Sequence, residues 1–409
     1  MYFLYNLFGF IFFLISPLIL FFRIINGKED SNRFLEKYSY YSKKKTDVTL
    51  WFHGASVGEI MSILPLINEF EKDPDIKKIL LTSSTVSSAS IIAKKPFKKT
   101  THIYYPFDVG FICDKFLNEW KPRIAIFVDS EIWPNMYEKI NSRKIPLILI
   151  NARITQKSFN RWKLFPFFAK EVFNKITIAL PQNQETKNYL KKLGVKKIKL
   201  LGNLKYFKNN NQISKTKLKN YFKNRKVFCA ASTHYNEEKI IGKFHLDMKK
   251  KFKNLITIII PRHINRSEEI IEELSKFNLK VAKRSIKPKP PYDCDIYIVN
   301  TYGEMSEFLK LSKVTFIGGS MVNHGGQNPL EAVRMGNYIM HGEKVNNFKE
   351  IYKELKSKKI SSEIRDIYQM KKVFVRNHNY KISRNKLKKI NTLGDKIFKS
   401  NIEEIKNYL

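Results

Sequence analysis

The stretch Ile317–Ala332 reads IGGSMVNHGGQNPLEA. A β-branched run, Val314 to Ile317, ends in Gly318 and Gly319, and a second pair, Gly325 and Gly326, leads into Asn328-Pro329-Leu330-Glu331. Glycine lets backbone amides approach a ligand closely, and proline at a first helical position presets the helix start. Strand, glycine-rich loop and helix N-terminus together read as an α/β unit with an anion site. Glu331, one turn into the helix, is placed to accept from a sugar hydroxyl. A plainer reading gives the same glycines to a tight packing turn. The stretch alone leaves the two level.

Outward from this loop, short apolar strands alternate with helical patterns, the signature of parallel sheets built from βαβ units. In the first half the expected strands are Val48–His53, Lys78–Thr82, Ile124–Val128, Pro146–Asn151 and Ile176–Leu180, with a helix from Ser56 to Phe70 after the first. A second series comprises Val227–Ala231, Leu255–Ile260, Lys280–Lys283, Asp295–Val299, Val314–Ile317 and Tyr338–His341. Between them Phe207–Lys226 is rich in Lys and Asn and reads as a linker with a basic helix; the tail after Ile360 reads as helical. At 409 residues the chain exceeds one core, so two domains of roughly 150–200 residues are expected. The division is an anchor over 1–26, a first doubly wound domain over 27–205, and a second over 206–409 that takes in the C-terminal helices. Ligands of such sheets bind beyond the carboxyl ends of the strands, here in a cleft between the domains.

Tyr2–Phe22 carries no charged residue and is about long enough to cross a bilayer as a helix, Pro17 included. Arg23, Lys28, Arg33, Lys37 and Lys43–Lys45 follow, which places the downstream side in the cytoplasm. A retained anchor fits better than a cleaved signal, because no basic segment precedes the run and no small-residue site ends it. An anchor lying in the interface is its other form. The formal charge of +38 is spread over the chain and partly reflects lysine as the default surface residue. It favours anionic partners. Cys113, Cys229 and Cys294 lie far apart without ligand spacing, which argues against disulfides and structural zinc.

Charged residues follow successive strands. In HGASVGE (53–59), Ser56 can cap the next helix and Glu59 stands at the capping-box position; a carboxylate there also suits a general base. Asp129 and Glu131 follow the third expected strand, and Asn151 and Arg153 the fourth. In the second half come Ser232, Thr233 and His234, then Pro261-Arg262-His263 with Arg266 as a second guanidinium, then Tyr302-Gly303-Glu304. Arginine at a strand end clamps phosphate or carboxylate through its planar fork.

These motifs in this order resemble the Kdo (3-deoxy-D-manno-octulosonic acid) transferases of lipid A assembly. The matching segments are HGASVGE (53–59), YPFD (105–108), EIWPN (131–135), NAR (151–153), GNLK (202–205), ASTH (231–234), PRH (261–263), YGE (302–304) and GGSMVNHGGQNPLE (318–331). The resemblance implies a GT-B fold of two Rossmann-like domains and inverting transfer of Kdo from CMP-Kdo to a lipid A precursor, lipid IVA, with release of CMP. It implies Glu59 as the base that deprotonates the acceptor hydroxyl, and Glu131 and Lys205 as stabilisers of the transition state. Pro261, Arg262, Tyr302, Gly303, Glu304, Asn328, Pro329, Leu330 and Glu331 would bind CMP. No metal or other cofactor and no nucleic acid is implied; the partners are CMP-Kdo, the lipid acceptor and the anionic bacterial inner membrane, met from its cytoplasmic face.

Gln327 departs from the pattern where His is common, Asp129 stands where Glu is usual, and Tyr302 where Met is common. Gln keeps hydrogen-bonding capacity, so donor binding is expected to survive. A UDP-sugar transferase or epimerase would share the two-domain pattern without the ordered motifs. A tethered nucleic-acid or lipid binder would account for the charge but not for the carboxylates.

Overall fold

The computed structural model describes residues 1–41, 47–207 and 218–409. Lys43–Lys45 and half of the expected linker lie outside the described residues; the linker's described part holds one short helix, Leu218–Tyr221. The chain forms two units, Met1–Asn209 with Leu393–Leu409, and Asn210–Thr392.

The first unit is a six-stranded parallel sheet: β1 (Leu50–His53), β2 (Ile79–Ser83), β3 (Thr100–Tyr104), β4 (Ile124–Val128), β5 (Leu147–Ala152) and β6 (Ile178–Pro181). Their order across the sheet is β3-β2-β1-β4-β5-β6. Every residue of β1, β2, β4, β5 and β6 is buried, because helices cover both faces of a parallel sheet and no alternation of polar residues is needed. The strand order reverses direction between β1 and β4, which pair from Leu50 with Ile124 to His53 with Phe127. Their carboxyl ends form the crevice where such sheets bind ligands. The sequence reading lacked β3. Its residues, TTHIY, are half polar, and as an edge strand it is only partly buried.

The second unit has seven parallel strands: β7 (Lys226–Thr233), β8 (Leu255–Pro261), β9 (Val281–Lys283), β10 (Ile296–Ile298), β11 (Val314–Ile317), β12 (Tyr338–His341) and β13 (Ser361–Glu363). The order is β13-β12-β11-β7-β8-β10-β9, so the switch point lies between β7 and β11. β13 was not expected; three residues reading SSE carry no apolar signal.

One boundary moves. The expected second domain included the whole C-terminal tail, but Leu393–Leu409 belongs to the first unit. Gly394 lies so close to the backbone of Tyr206 that a Cβ there would be 1.9 Å from its carbonyl oxygen, and Ile397 sits over Gly202. Phe398 stacks on Phe207, Glu404 pairs with Lys199 at 2.6 Å and Lys406 with Asp73 at 2.5 Å. Helical periodicity in the tail reveals the helix but not which unit it joins.

The N-terminal helix, Tyr2–Ile25, is long and apolar enough to cross a membrane. The Tyr5 hydroxyl donates to Asp108 at 2.7 Å, and that carboxylate also accepts from the amides of Asn135 and Met136 at the start of the helix Pro134–Ser142. Arg23 and Lys37 both pair with the buried Glu29.

Candidate active site

In the first unit the candidate side chains come from the ends of β1, β4 and β5 and from the loops beside them. His53 is fully buried at the end of β1 and stacks on Tyr105 at 3.8 Å between ring centres. Its Nε2 lies 3.1 Å from Glu131, and its Nδ1 lies 3.0 Å from the Thr82 hydroxyl. Glu131 also accepts from the Trp133 indole N–H at 2.9 Å. Burial alone would raise the Glu131 carboxyl; the hydrogen bond and charge of His53 with the Trp133 bond hold it below the usual range. Glu131 is therefore a fixed negative charge at neutral pH.

Glu59 is the residue for which the sequence set two readings, cap and base, against each other. It completes a capping box on the helix Val57–Phe70: the Ser56 hydroxyl accepts from its amide, and its Oε2 accepts from the amides of Ala55, at 2.6 Å, and Ser56, at 3.1 Å. Its Oε1 has no hydrogen bond among the described residues. Burial, then the charges of Glu131 and Asp129, push its carboxyl up to about 7, against the Ser56 hydrogen bonds. The cap fixes the side chain while burial and its neighbours make it a proton acceptor near neutral pH.

Asp129, at a positive φ of 56°, is buried and accepts from the Asn151 side-chain amide. Asn151 in turn accepts from the amide of Leu204 at 3.0 Å, and Asn203 bonds both Gln182 and the amide of Lys205. This chain sets the GNLK loop at the carboxyl ends of β5 and β6. Burial raises the Asp129 carboxyl, with the positive charge of Lys205 the largest opposing influence. Glu59, Glu131 and Lys205 thus belong to one electrostatic group in the first unit. His53, Asp129 and Asn151 are the members whose roles sequence reasoning missed. Their signal was present, because all three end or follow strands, but β1 and β4 become neighbours only once the strand order is known.

The second unit corrects the reading of the glycine loop. Its amides are occupied by the protein's own carboxylate: Glu237 accepts from Gly319 at 2.7 Å, Ser320 at 3.1 Å, Met321 at 3.0 Å and His234 at 2.9 Å. Burial raises the Glu237 carboxyl, and the four amide bonds oppose the rise. A Cβ on Gly318 would stand 2.3 Å from the Ser232 carbonyl oxygen, so that glycine serves the close approach of β7 and β11. The packing reading therefore holds for the first glycine pair, and the anion in the cradle is internal.

Around it, Pro261 is buried and the Arg262 guanidinium is exposed, with no hydrogen bond or ion pair among the described residues. Arg266 is not a second free clamp: it pairs with Glu238 at 3.0 Å and Glu269 at 3.2 Å. Glu304 is held by both terminal and inner nitrogens of Arg284, at 2.6 and 3.1 Å, and also accepts from Thr301. Those bonds from Arg284 keep its carboxyl low. Tyr302 is exposed, and Gly303 has a φ of 84° with open space where a Cβ would be. The Asn328 side chain accepts from Leu330, Pro329 precedes the short helix Leu330–Arg334, and Glu331 accepts from Ser306 just after the YGE segment. Gln327 lies 3.1 Å from His234, whose imidazole is lowered to about 4 by burial and by His324, His263 and nearby arginines. The substitution at 327 thus keeps a hydrogen-bond partner.

Residues 32–208 match the family model of 3-deoxy-D-manno-octulosonic-acid transferase. A 3-deoxy-D-manno-octulosonic acid transferase of Rickettsia bellii is 33% identical over 88% of this chain and 87% of its own length. The chain belongs to the Kdo transferases. One from Haemophilus influenzae is 29% identical over 79% of the chain and 78% of its own length. A UDP-GlcNAc 2-epimerase from Neisseria meningitidis matches 89% of the chain and 99% of its own at a TM-score of 0.59 and 15% identity. That likeness concerns the fold alone: Rossmann-like parallel-sheet units of the GT-B class. As a Kdo transferase the chain is a glycosyltransferase.

Proposed function

We propose that this Kdo transferase moves Kdo from CMP-Kdo to a lipid A precursor, lipid IVA, with inversion at the anomeric carbon and release of CMP. The observation that carries the reading is Glu59, a carboxylate fixed by its capping box, which burial and the charges of Glu131 and Asp129 push up to about 7. An acceptor hydroxyl is a poor nucleophile. Glu59 takes its proton as the oxygen–carbon bond forms, and the bond from the anomeric carbon to the CMP phosphate breaks with its electrons on the phosphate. Glu131, held ionised by His53, supplies negative charge where an oxocarbenium-like centre develops. Lys205 offsets the Kdo carboxylate and the departing phosphate.

In the second unit, Arg262 is the exposed cation for the donor phosphate. Pro261, Tyr302, Gly303, Asn328, Pro329 and Leu330 shape the nucleotide site. Glu304 and Glu331 hold that site through Arg284 and Ser306, and Glu331 offers its other oxygen to a hydroxyl. These steps call for no metal ion, so a chelator is expected to leave the rate unchanged. The enzyme acts at the cytoplasmic face of the bacterial inner membrane, a placement supported by its apolar helix and its excess of cations.

The test is turnover of CMP-Kdo with a tetra-acylated lipid A precursor, followed by mass spectrometry. A glycolipid heavier by one or more Kdo units together with released CMP is expected. Turnover of a UDP-sugar instead would overturn the donor assignment.

A further inference from the structure

The helix Tyr2–Ile25 does not stand away from its domain. Residues at helical spacing, Tyr2, Tyr5, Phe13, Ser16 and Leu20, face the protein. The Tyr2 hydroxyl donates to the carbonyl of Pro134 at 3.1 Å, Ser16 and Tyr38 share a 2.7 Å hydrogen bond, and Arg23 pairs with the buried Glu29 at 3.2 Å. A helix of this length, about 36 Å, exceeds the roughly 30 Å hydrocarbon core. Both of its ends are nevertheless tied to the same unit. The opposite face is apolar and open, with Phe3, Phe8, Leu14 and Leu18 all exposed.

A second apolar element adjoins it. The loop Leu164-Phe165-Pro166-Phe167 exposes Leu164 to 72% and Phe167 to 89%, and the next residue, Phe168, packs on Tyr2 and Tyr5. Arg161, Lys163 and Lys170 flank this loop and are exposed. Such a rim suits anionic headgroups. With a chain charge of +38 it disfavours a second copy of the same face.

We propose that the open face of Tyr2–Ile25 and the loop Leu164–Phe167 form one lipid-facing surface. On it the chain rests on an anionic bilayer leaflet with its first helix in the membrane plane, not across it. The proposal deepens the membrane placement above and rests on it. The protein occupies the side of the helix that would be polar in an ordinary interfacial helix.

Two measurements on the full chain test it. Flotation with vesicles of phosphatidylethanolamine and phosphatidylglycerol should show binding that the double variant Leu164→Asp/Phe167→Asp weakens at least fivefold, with an unchanged circular dichroism spectrum. A protease site placed ahead of Met1 should be cut from the same side of sealed membranes as the catalytic domain. Wild-type chain that fails to float removes the membrane placement itself. Normal flotation of the variant, or a site protected until detergent is added, overturns the in-plane surface and leaves that placement standing. A wild-type dimer that the variant turns into a monomer, with vesicle binding unchanged, assigns the face to a second copy and overturns the proposal.

Discussion

The switch points of the two sheets have the same construction and opposite uses. Between β1 and β4 the strand ends present carboxylates that the proposed function turns toward a substrate: Glu59 is pushed up to about 7, and Glu131 is fixed low by His53. Between β7 and β11 the loop amides are already filled by Glu237. In the first crevice the carboxylates hold side chains and a helix cap, and in the second a carboxylate holds the backbone of its own loop. A glycine-rich loop after a strand therefore marks a backbone able to cradle an anion without saying whose anion it is.

The contrast breaks first at Glu59. Glu59→Gln keeps an acceptor for the cap but cannot take a proton, so kcat should fall by about 10²–10⁴-fold. The melting transition should stay nearly in place, because losing a whole cap costs only about 0.5–2 kcal/mol. Initial rates and thermal melts of the same preparations check both. If the rate and the stability fall together in proportion, the cap is the whole role of Glu59.

Glu237→Ala should do the reverse and act through folding. It leaves the buried amides of Gly319 and Ser320 and the part-buried amide of Met321 unpartnered, at about 1–3 kcal/mol for each unsatisfied buried group. A loss of roughly 3 kcal/mol or more in denaturant unfolding is expected, with CMP protecting the variant less than the wild type. Unchanged stability would mean that the cradle is open to an external anion.

Gly394→Ala tests whether the tail supports the GNLK loop. Its Cβ would strike the Tyr206 carbonyl, next to Lys205. Overpacking of this kind costs about 1–3 kcal/mol. A lower kcat with little change in the KM for donor is the expected pattern. The smallest effect belongs to Arg262→Ala, which removes an exposed cation and should raise the KM for donor about tenfold, leaving the melt unchanged. Steady-state kinetics with the donor varied distinguish the two variants.

Much of this was legible before any coordinates. Strands such as Ile124–Val128 and Val314–Ile317 coincide with the structure because fully buried parallel strands are continuous apolar runs. The edges were not legible: β3 and β13 lack such runs, and Leu393–Leu409 packs on Lys199, Gly202, Tyr206 and Phe207, far away in sequence. At the sites, residue types and strand ends could be read. The partners could not, because His53 meets Glu131 only when β1 lies beside β4, and Arg266 turns out to be committed to Glu238. Pairing across a sheet depends on topology, and one sequence carries little of it.

The pH dependence of kcat, taken on wild type and Glu59→Gln with CMP-Kdo and the lipid acceptor, tests the central claim most directly. The carboxyl is raised, so at acid pH Glu59 is protonated and idle, and it becomes a base as pH rises. Wild-type kcat should therefore climb with unit slope and level off above about 7, whereas the variant should be slow and without that limb. A variant that keeps the same acid limb, or a wild type with none, would contradict Glu59 as the base.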